Sequence, residues 1–482
     1  MAFMRKSKFR HVFGQAIKRD QCYDNIRITR TSWESTYCAA SPKFVAVITE
    51  AAGGGSFLVL PLEKTGRVNV DAPMVAGHKG AVLDIAWCPH NDDVIASASE
   101  DCTVKVWQIP EGGLTENLTE PVVDLGIHQR RVTLLVWHPS AMNVLLSTSS
   151  DNTIILWNVG TGEAMLQVEM PDQIYSGTFN FDGSRFVCTC KDKKLRVLDS
   201  HTGAILQEGQ GHMGSKPAQC TYLKNGQIFT SGFSRMSERQ YALWDENDLS
   251  KSIVMEEIDS SNGVLFIFYD PDTNMVYLAG KGDSLIRYYE VTSEAPYVHY
   301  LDLYQSKSPQ RGIGFMPKRG LNVHNNEIAR FYKLHNQGLC EIIPFTVPRK
   351  SELFQNDLYP DTASDQPAIS ADDFFAGKNA PPALMSLRGD TDNTKKDQVK
   401  MVRKSNILDK MPSKPAAQQQ QTSNNADTAP ATPSLPPGFD PQGMLDDMRK
   451  LKLIVKAHEK RIKTLEEKLQ QYESDEEQVE EA

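Results

Sequence analysis

The chain has 482 residues, with 52 Lys and Arg against 61 Asp and Glu, for a net charge of −9. That acidic balance excludes a general affinity for nucleic acid, whose phosphates demand a basic surface. The absence of an apolar N-terminal leader and of any run of about eighteen apolar residues excludes a signal peptide and a membrane span, so a cytoplasmic protein is expected.

The eight Cys are scattered. The closest, Cys188 and Cys190, form a C-x-C without zinc or thioredoxin spacing, so buried free thiols, no metal and no cofactor are expected. Charge is polarised between the chain ends. Residues 1–30 hold eight bases (Arg5, Lys6, Lys8, Arg10, Lys18, Arg19, Arg27, Arg30) against Asp20 and Asp24, while the last ten residues hold six acids and no base.

In chain order, SKFRHVFG (Ser7–Gly14) alternates apolar with basic or polar side chains and reads as a strand without a neighbouring hairpin partner. Trp33–Leu62 holds two β-rich runs around Gly53, Gly54 and Gly55, a degenerate repeat. Two clear copies follow, Gly77–Trp107 and Gly126–Trp157. His78 to Trp107 and His128 to Trp157 both span 29 residues, and Asp101 to Trp107 and Asp151 to Trp157 both span six.

Each copy holds Ser, His and Asp, the side chains of a hydrolase triad. A catalytic set is needed once, however, and this one recurs at a repeat period, so the WD-repeat reading prevails: the groups hydrogen-bond across one four-stranded blade beneath the Trp ring. A fourth unit keeps Asp192 six residues before Leu198. A fifth runs from His212 to Trp244, stretched from 29 to 32 residues by FSRMSERQ, which should form a protruding loop. A sixth places Asp283 six before Tyr289, and a seventh Asn326 six before Tyr332. Residues Gly209–Gly214, GQGHMG, match a dinucleotide-binding pattern but open a WD unit and precede no helical period. No His-Glu-x-x-His or P-loop occurs, and the protein is not expected to be an enzyme.

Seven units predict an all-β, seven-bladed propeller over residues 1–347. The partnerless N-terminal strand would close it against CEIIPFTV, Cys340–Val347. Residues 348–400 are turn-rich but carry apolar anchors (Leu353, Phe354, Leu358, Tyr359, Phe374, Phe375), so they should pack on the propeller. Residues 401–439 lose such anchors and, with Pro412 to Pro441 and four consecutive Gln, read as disordered linker.

Asp440-Pro441 is a helix start. A heptad seam follows through Met444, Met448, Leu451, Val455, His458, Ile462, Leu465, Leu469 and Tyr472, a short coiled coil over 440–475. Residues 476–482 form an acidic tail. The heptads alone leave the oligomer number open.

SKFRHVFG, GGGSFLVLPL, DIAWCPHND, FSRMSERQ, FYDPDT, KGDSLIRYYE, PKRGL, EIARFYKL, VPRKS and DLYPDTA resemble, in order, signatures of the coronin family. The resemblance spans roughly residues 7–365. It implies a regulator of the actin cytoskeleton at the cell cortex that binds filamentous actin through the propeller and its N-terminal basic region, here Arg5, Lys6, Lys8, Arg10, Arg27 and Arg30. Arg27 matches the arginine of the family's Tyr-x-x-Ile-Arg segment. The resemblance also implies engagement of the actin-related-protein branching complex, influence on cofilin-driven turnover, and a parallel homotrimer held by Arg461, Ile462, Leu465 and Glu466 in RIKTLE. The Gln-rich linker and the acidic tail depart from the family pattern. A general WD scaffold for trafficking or signalling complexes is the alternative.

Overall fold

The structure is a computed structural model that describes residues 7–50, 55–351 and 353–388. Among the described residues lie seven blade sheets, six antiparallel sheets of four strands and one completed by the N-terminal segment, beside a small two-stranded sheet, Thr362–Ala363 with Leu384–Met385. The middle strands are rich in β-branched, aromatic and small residues, as in Phe44–Thr49 (FVAVIT) and Val94–Ser99 (VIASAS), which are buried throughout and fit a pleated, two-sided packing surface. Strands are numbered outward from the channel within each blade. Blade one is Cys38–Ala40, Phe44–Thr49, Gly55–Pro61 and Met74–His78. Blade two is Val82–Trp87, Val94–Ser99, Val104–Gln108 and Val123–Leu125.

Blades three to six repeat the meander from Val132 to Glu169, Ile174 to Gln210, Gln219 to Asp259 and Leu265 to Gln305. Blade seven has Gln310–Phe315, Glu327–His335 and Cys340–Thr346. The apolar clusters lie between neighbouring sheets. Val106, Leu125, Trp137 and Trp157 join blades two and three, for example, and Val187, Val197, Cys220 and Trp244 join four and five.

The last blade borrows its outer strand from the chain start. Phe13 pairs with Thr346 and Gly14 with Phe345, the Gln15 and Ile17 amides donate to Pro344 and Ile342 carbonyls at 3.1 and 3.0 Å, and Tyr23 pairs with Cys340. Closure thus follows the predicted partner, but SKFRHVFG is not a strand throughout. Only Phe13–Gly14 is extended; residues 8–11 turn, with the Val12 amide donating to the Phe9 carbonyl at 3.1 Å. The turn buries Phe9 and Val12 among Tyr277, Tyr288 and Phe345, which a straight strand could not do for both.

Residues 348–388 cross one face, here called lower. Leu358 and Tyr359 are buried against blades six and seven, and the Tyr359 hydroxyl donates to the Glu327 carbonyl at 2.9 Å. Further on, the Ala368 amide donates to the Ser140 carbonyl at 2.9 Å, and Ser370 caps a short helix, Ala371–Phe375. That helix inserts Phe374 between His138 and His201, 4.4 and 4.5 Å away. Leu353, expected as an anchor, is 79% exposed, while its neighbour Phe354 makes the contact instead, its ring 5.5 Å from that of Tyr359. The linker, the coiled coil and the tail lie outside the described residues.

The seventh unit is placed differently from its spacing. Asn326 ends a 3-10 turn in the left-handed region, and Tyr332 sits on the second strand, whereas Trp107 and Trp157 sit on third strands. A long loop between the first two strands of blade seven shifts the sequence phase, so the six-residue interval there is coincidental.

Candidate functional site

The repeated polar groups join two blades rather than one. His78 ends the outer strand of blade one, while its partners belong to blade two. Its Nε2 lies 2.7 Å from Ser97 Oγ and its Nδ1 3.0 Å from Asp101 Oδ2, and Trp107 Nε1 donates to Ser97 Oγ at 2.8 Å. The ionised Asp101 carboxylate can only accept, so Nδ1 of the imidazole carries the hydrogen and, in the neutral ring, Nε2 accepts from the Ser97 hydroxyl, which accepts in turn from the Trp107 indole. That fixes the tautomer: Nδ1–H donates to Asp101. Burial pushes the Asp101 carboxyl upward, but hydrogen bonds from His78 and Thr103 outweigh it and hold the group below the usual carboxylate range.

The second copy repeats this with His128 Nε2 2.7 Å from Ser147, Trp157 donating to Ser147 at 2.8 Å, and Thr153 between His128 and Asp151. In blade five Thr230 takes the serine's place, 2.9 Å from both His212 Nε2 and Trp244 Nε1. Ser97 and Ser147 are fully buried and committed to an indole, so neither can act as a nucleophile.

Where the histidine is lost, a buried arginine takes over. Arg196, 1% exposed, donates to Asp192 at 3.1 Å and Glu208 at 2.7 Å, and Arg239, also 1% exposed, joins Asp259 and Asp283 at 2.6 Å each. The stretched fifth unit is a longer hairpin. Trp244 follows its hydroxyl partner by 14 residues against 10 for Trp107, and the tip exposes Arg235 and an 81% exposed Met236.

These networks turn the recurrent aspartates inward on the upper face, opposite the 348–388 segment. Bases at the same repeat phase stay outside: Lys79 after His78, Arg130 and Arg131 after His128, and Lys191 and Lys193 around Asp192, all exposed. Several meet neutral acceptors. Lys193 donates to the Met213 carbonyl at 3.0 Å and Lys216 to the Asn262 carbonyl at 2.7 Å, while Arg131 lies 5.0 Å from the Trp33 ring centre. A carbonyl leaves the cation's charge uncompensated. Glu50 and Glu100 are the exposed acids among these turns.

Arg27 and Arg30 join this rim. Arg27's backbone is fixed on both sides, since the Ile26 amide donates to the Gly338 carbonyl and the Glu50 amide to the Arg27 carbonyl, both at 2.9 Å, while its side chain is exposed. Among the described residues no ion pair reaches it. Arg30 lies 3.5 Å from Glu50, with its side chain 89% exposed. The following loop is clamped over the channel by Lys281, donating to the Trp33 carbonyl at 2.7 Å, and Arg311, donating to Thr31 at 2.6 Å.

The N-terminal bases do not form one patch. The segment climbs blade seven from Thr346 to Cys340, about 20 Å of strand at ~3.3 Å per residue. It therefore leaves Lys8 low and Arg27 high. Lys8 donates to the Asp357 carbonyl of the lower segment, and Arg10 is half-buried and partnered. Arg5 and Lys6 lie outside the described residues, as do Leu451, Val455, His458, Arg461, Ile462, Leu465, Glu466 and Leu469. Sequence reading missed Lys79, Arg130, Arg131, Lys191, Lys193 and Lys216. Their signal was there: each holds a fixed phase to the His or Asp of its unit, or lies beside the Gly-His of the fifth.

Among the described residues no helix is long and apolar enough to cross a membrane, and no His, Cys, Asp and Glu cluster fits a metal. The eight Cys are free, and only Cys102 is not buried.

Comparison with known proteins agrees with this architecture. A domain of unknown function (DUF1899) matches residues 2–67, a WD-domain G-beta repeat matches 73–108 and 119–158, and a further type of WD40 repeat matches 340–382. The WD40 domain of Toxoplasma gondii coronin superposes with a TM-score of 0.75 at 32% identity, covering 79% of this chain and 98% of that one. A chain of the mitotic checkpoint complex, at 12% identity and a TM-score of 0.50 over 73% of this chain and 99% of that one, shares the fold alone. With the N-terminal closing segment, the WD units and this identity over nearly the whole related domain, the chain belongs to the coronin family.

Proposed function

We propose that the protein binds actin filaments through the upper basic rim and multiplies that contact through a C-terminal trimer. The observation that carries the reading is Arg27: held by backbone hydrogen bonds between blades seven and one, exposed, without an ion pair among the described residues, and on the same face as Lys193 and Lys216, which meet carbonyls, and Arg131, which meets the Trp33 ring. Actin filaments are acidic, so such a rim gives a steered, salt-sensitive contact. One propeller need not bind tightly. Three joined by RIKTLE-type helices rebind at an effective concentration on the order of millimolar, if the linker spans neighbouring subunits. A coil of about forty residues averages roughly 35 Å end to end, a reach compatible with adjacent filament sites. Engagement of the branching complex and of cofilin-driven turnover, and action at the cytoplasmic face of the cell cortex, complete the proposal.

Cosedimentation with filamentous actin tests it. The wild type should pellet at low salt and dissociate as salt rises, and Arg27→Asp should weaken pelleting about tenfold at unchanged melting temperature. A variant that pellets like wild type would reject the role of Arg27. A wild type that fails to pellet at low salt would favour the scaffold alternative.

A further inference from the structure

A second feature lies at the opposite mouth of the channel and owes nothing to the basic rim. A cavity of about 460 Å³ opens there between blades one, two, six and seven, walled on one side by the 362–364 stretch. That volume falls within the range of formed ligand pockets, ~300–1,000 Å³. Its apolar wall is rigid. Trp87 stacks on Phe44 at 5.8 Å and its indole nitrogen donates to the Ala39 carbonyl at 3.1 Å, so the ring has one position; Phe268 and Phe315 face the same space, 5.7 Å apart.

The charges around the cavity do not balance. Arg319 meets both oxygens of Asp92, at 2.8 and 3.1 Å, and Lys318 pairs with Asp270. Both cations are therefore committed, which argues against an anionic ligand. Asp272 is left over. Its Oδ2 is closed off from water and has no hydrogen-bond partner among the described residues; Lys318, already paired with Asp270, and Lys224 act on this carboxylate only through space, and neither bonds it, in a partly apolar wall. Burial, and then the charge of Asp270, push its carboxyl above the ordinary range, against the opposing pull of Thr362, Lys318 and Lys224.

We propose that this lower cavity receives a basic side chain, arginine or lysine, carried on an extended apolar segment of a partner protein. The aliphatic stem would lie on Trp87 and Phe268, and the cationic head would turn the Asp272 carboxylate toward itself. Charge complementarity selects this occupant: the lining offers one unmatched negative charge, aromatic faces suited to a guanidinium, and no free cation for phosphate or carboxylate.

The test uses the full-length protein and two probes, acetyl-Leu-Arg-Leu-amide and its citrulline twin, which keeps shape and removes charge. Ligand-observed NMR titration should show the arginine peptide binding about tenfold more tightly than the citrulline one. Asp272→Asn should abolish that preference while leaving actin cosedimentation unchanged. Absence of arginine-peptide binding at millimolar concentration, or a preference that survives Asp272→Asn, would overturn the proposal. Should that variant misfold, a benzophenone-bearing arginine peptide decides on the wild type: crosslinks at residues lining the lower cavity support the site, and crosslinks confined elsewhere reject it.

Discussion

At the scale of single residues, the repeat signature is a proton-ordered relay. Ser97 sits between a donor that cannot accept and a histidine nitrogen that must accept, and removing its hydroxyl strands both inside the protein. Ser97→Ala should therefore destabilise the propeller by about 1–3 kcal/mol for each stranded group, read from urea or guanidinium unfolding. Unfolding midpoints unchanged within error would refute the relay. The buried histidines set an acid limit. Burial lowers His212 and His90 to about 4 and His138 to about 3, from an ordinary 6.5. Their folded values lie below the unfolded one, so their contribution is complete above 6.5 and is lost as pH falls toward about 4, where the unfolded chain takes up protons the fold refuses. Melting temperature should drop across that interval, and His212→Gln should make the drop shallower; a flat profile in the wild type would contradict this. The His–Ser–Trp intervals were readable from spacing alone. That the histidine belongs to the preceding blade was not, because strand partnership across a gap leaves no mark on spacing.

At the scale of elements, ring closure rests on a short stretch. Phe9 is 1% exposed and Val12 2%, and the Tyr288 hydroxyl donates to the Val12 carbonyl at 2.7 Å. Truncating Phe9 to Ala should cost about 3–5 kcal/mol and open blade seven first. Limited proteolysis should then cut near residues 14–24 before any other blade; uniform resistance would show that closure does not depend on this contact. The pairing of this segment with Cys340–Thr346 was legible because an orphan strand needs an edge and a propeller has one to offer. Its turn over residues 8–11 was not, since alternation in SKFRHVFG fits a strand equally well until Phe9 and Val12 are seen to share one pocket. The seventh unit misled for a related reason: a long loop in blade seven moved Asn326 and Tyr332 into a spacing they share with other units by accident.

At the scale of the molecule, one upper rim gathers bases from loops far apart in sequence. Cutting the chain near Pro437 should leave a propeller that sediments as a monomer, against a trimer for the full chain, with weaker filament binding by the loss of avidity. A monomeric full-length protein that still binds filaments tightly would remove the need for oligomerisation. The lower face differs in kind, since the 348–388 segment ties blade seven to blades three and four there and forms part of a cavity wall.

Repetition at constant intervals, the orphan start and its partner strand all followed from the order of residues, because each is a local pattern or the lack of one; the seventh unit was reached through an interval that only coincides. Which bases share a face did not. Lys79, Arg131, Lys193 and Arg27 come to share one face only when the ring closes, and Lys8 is separated from Arg27 by the height of a blade. Charge acts through distance in space, and only the closed fold sets that distance.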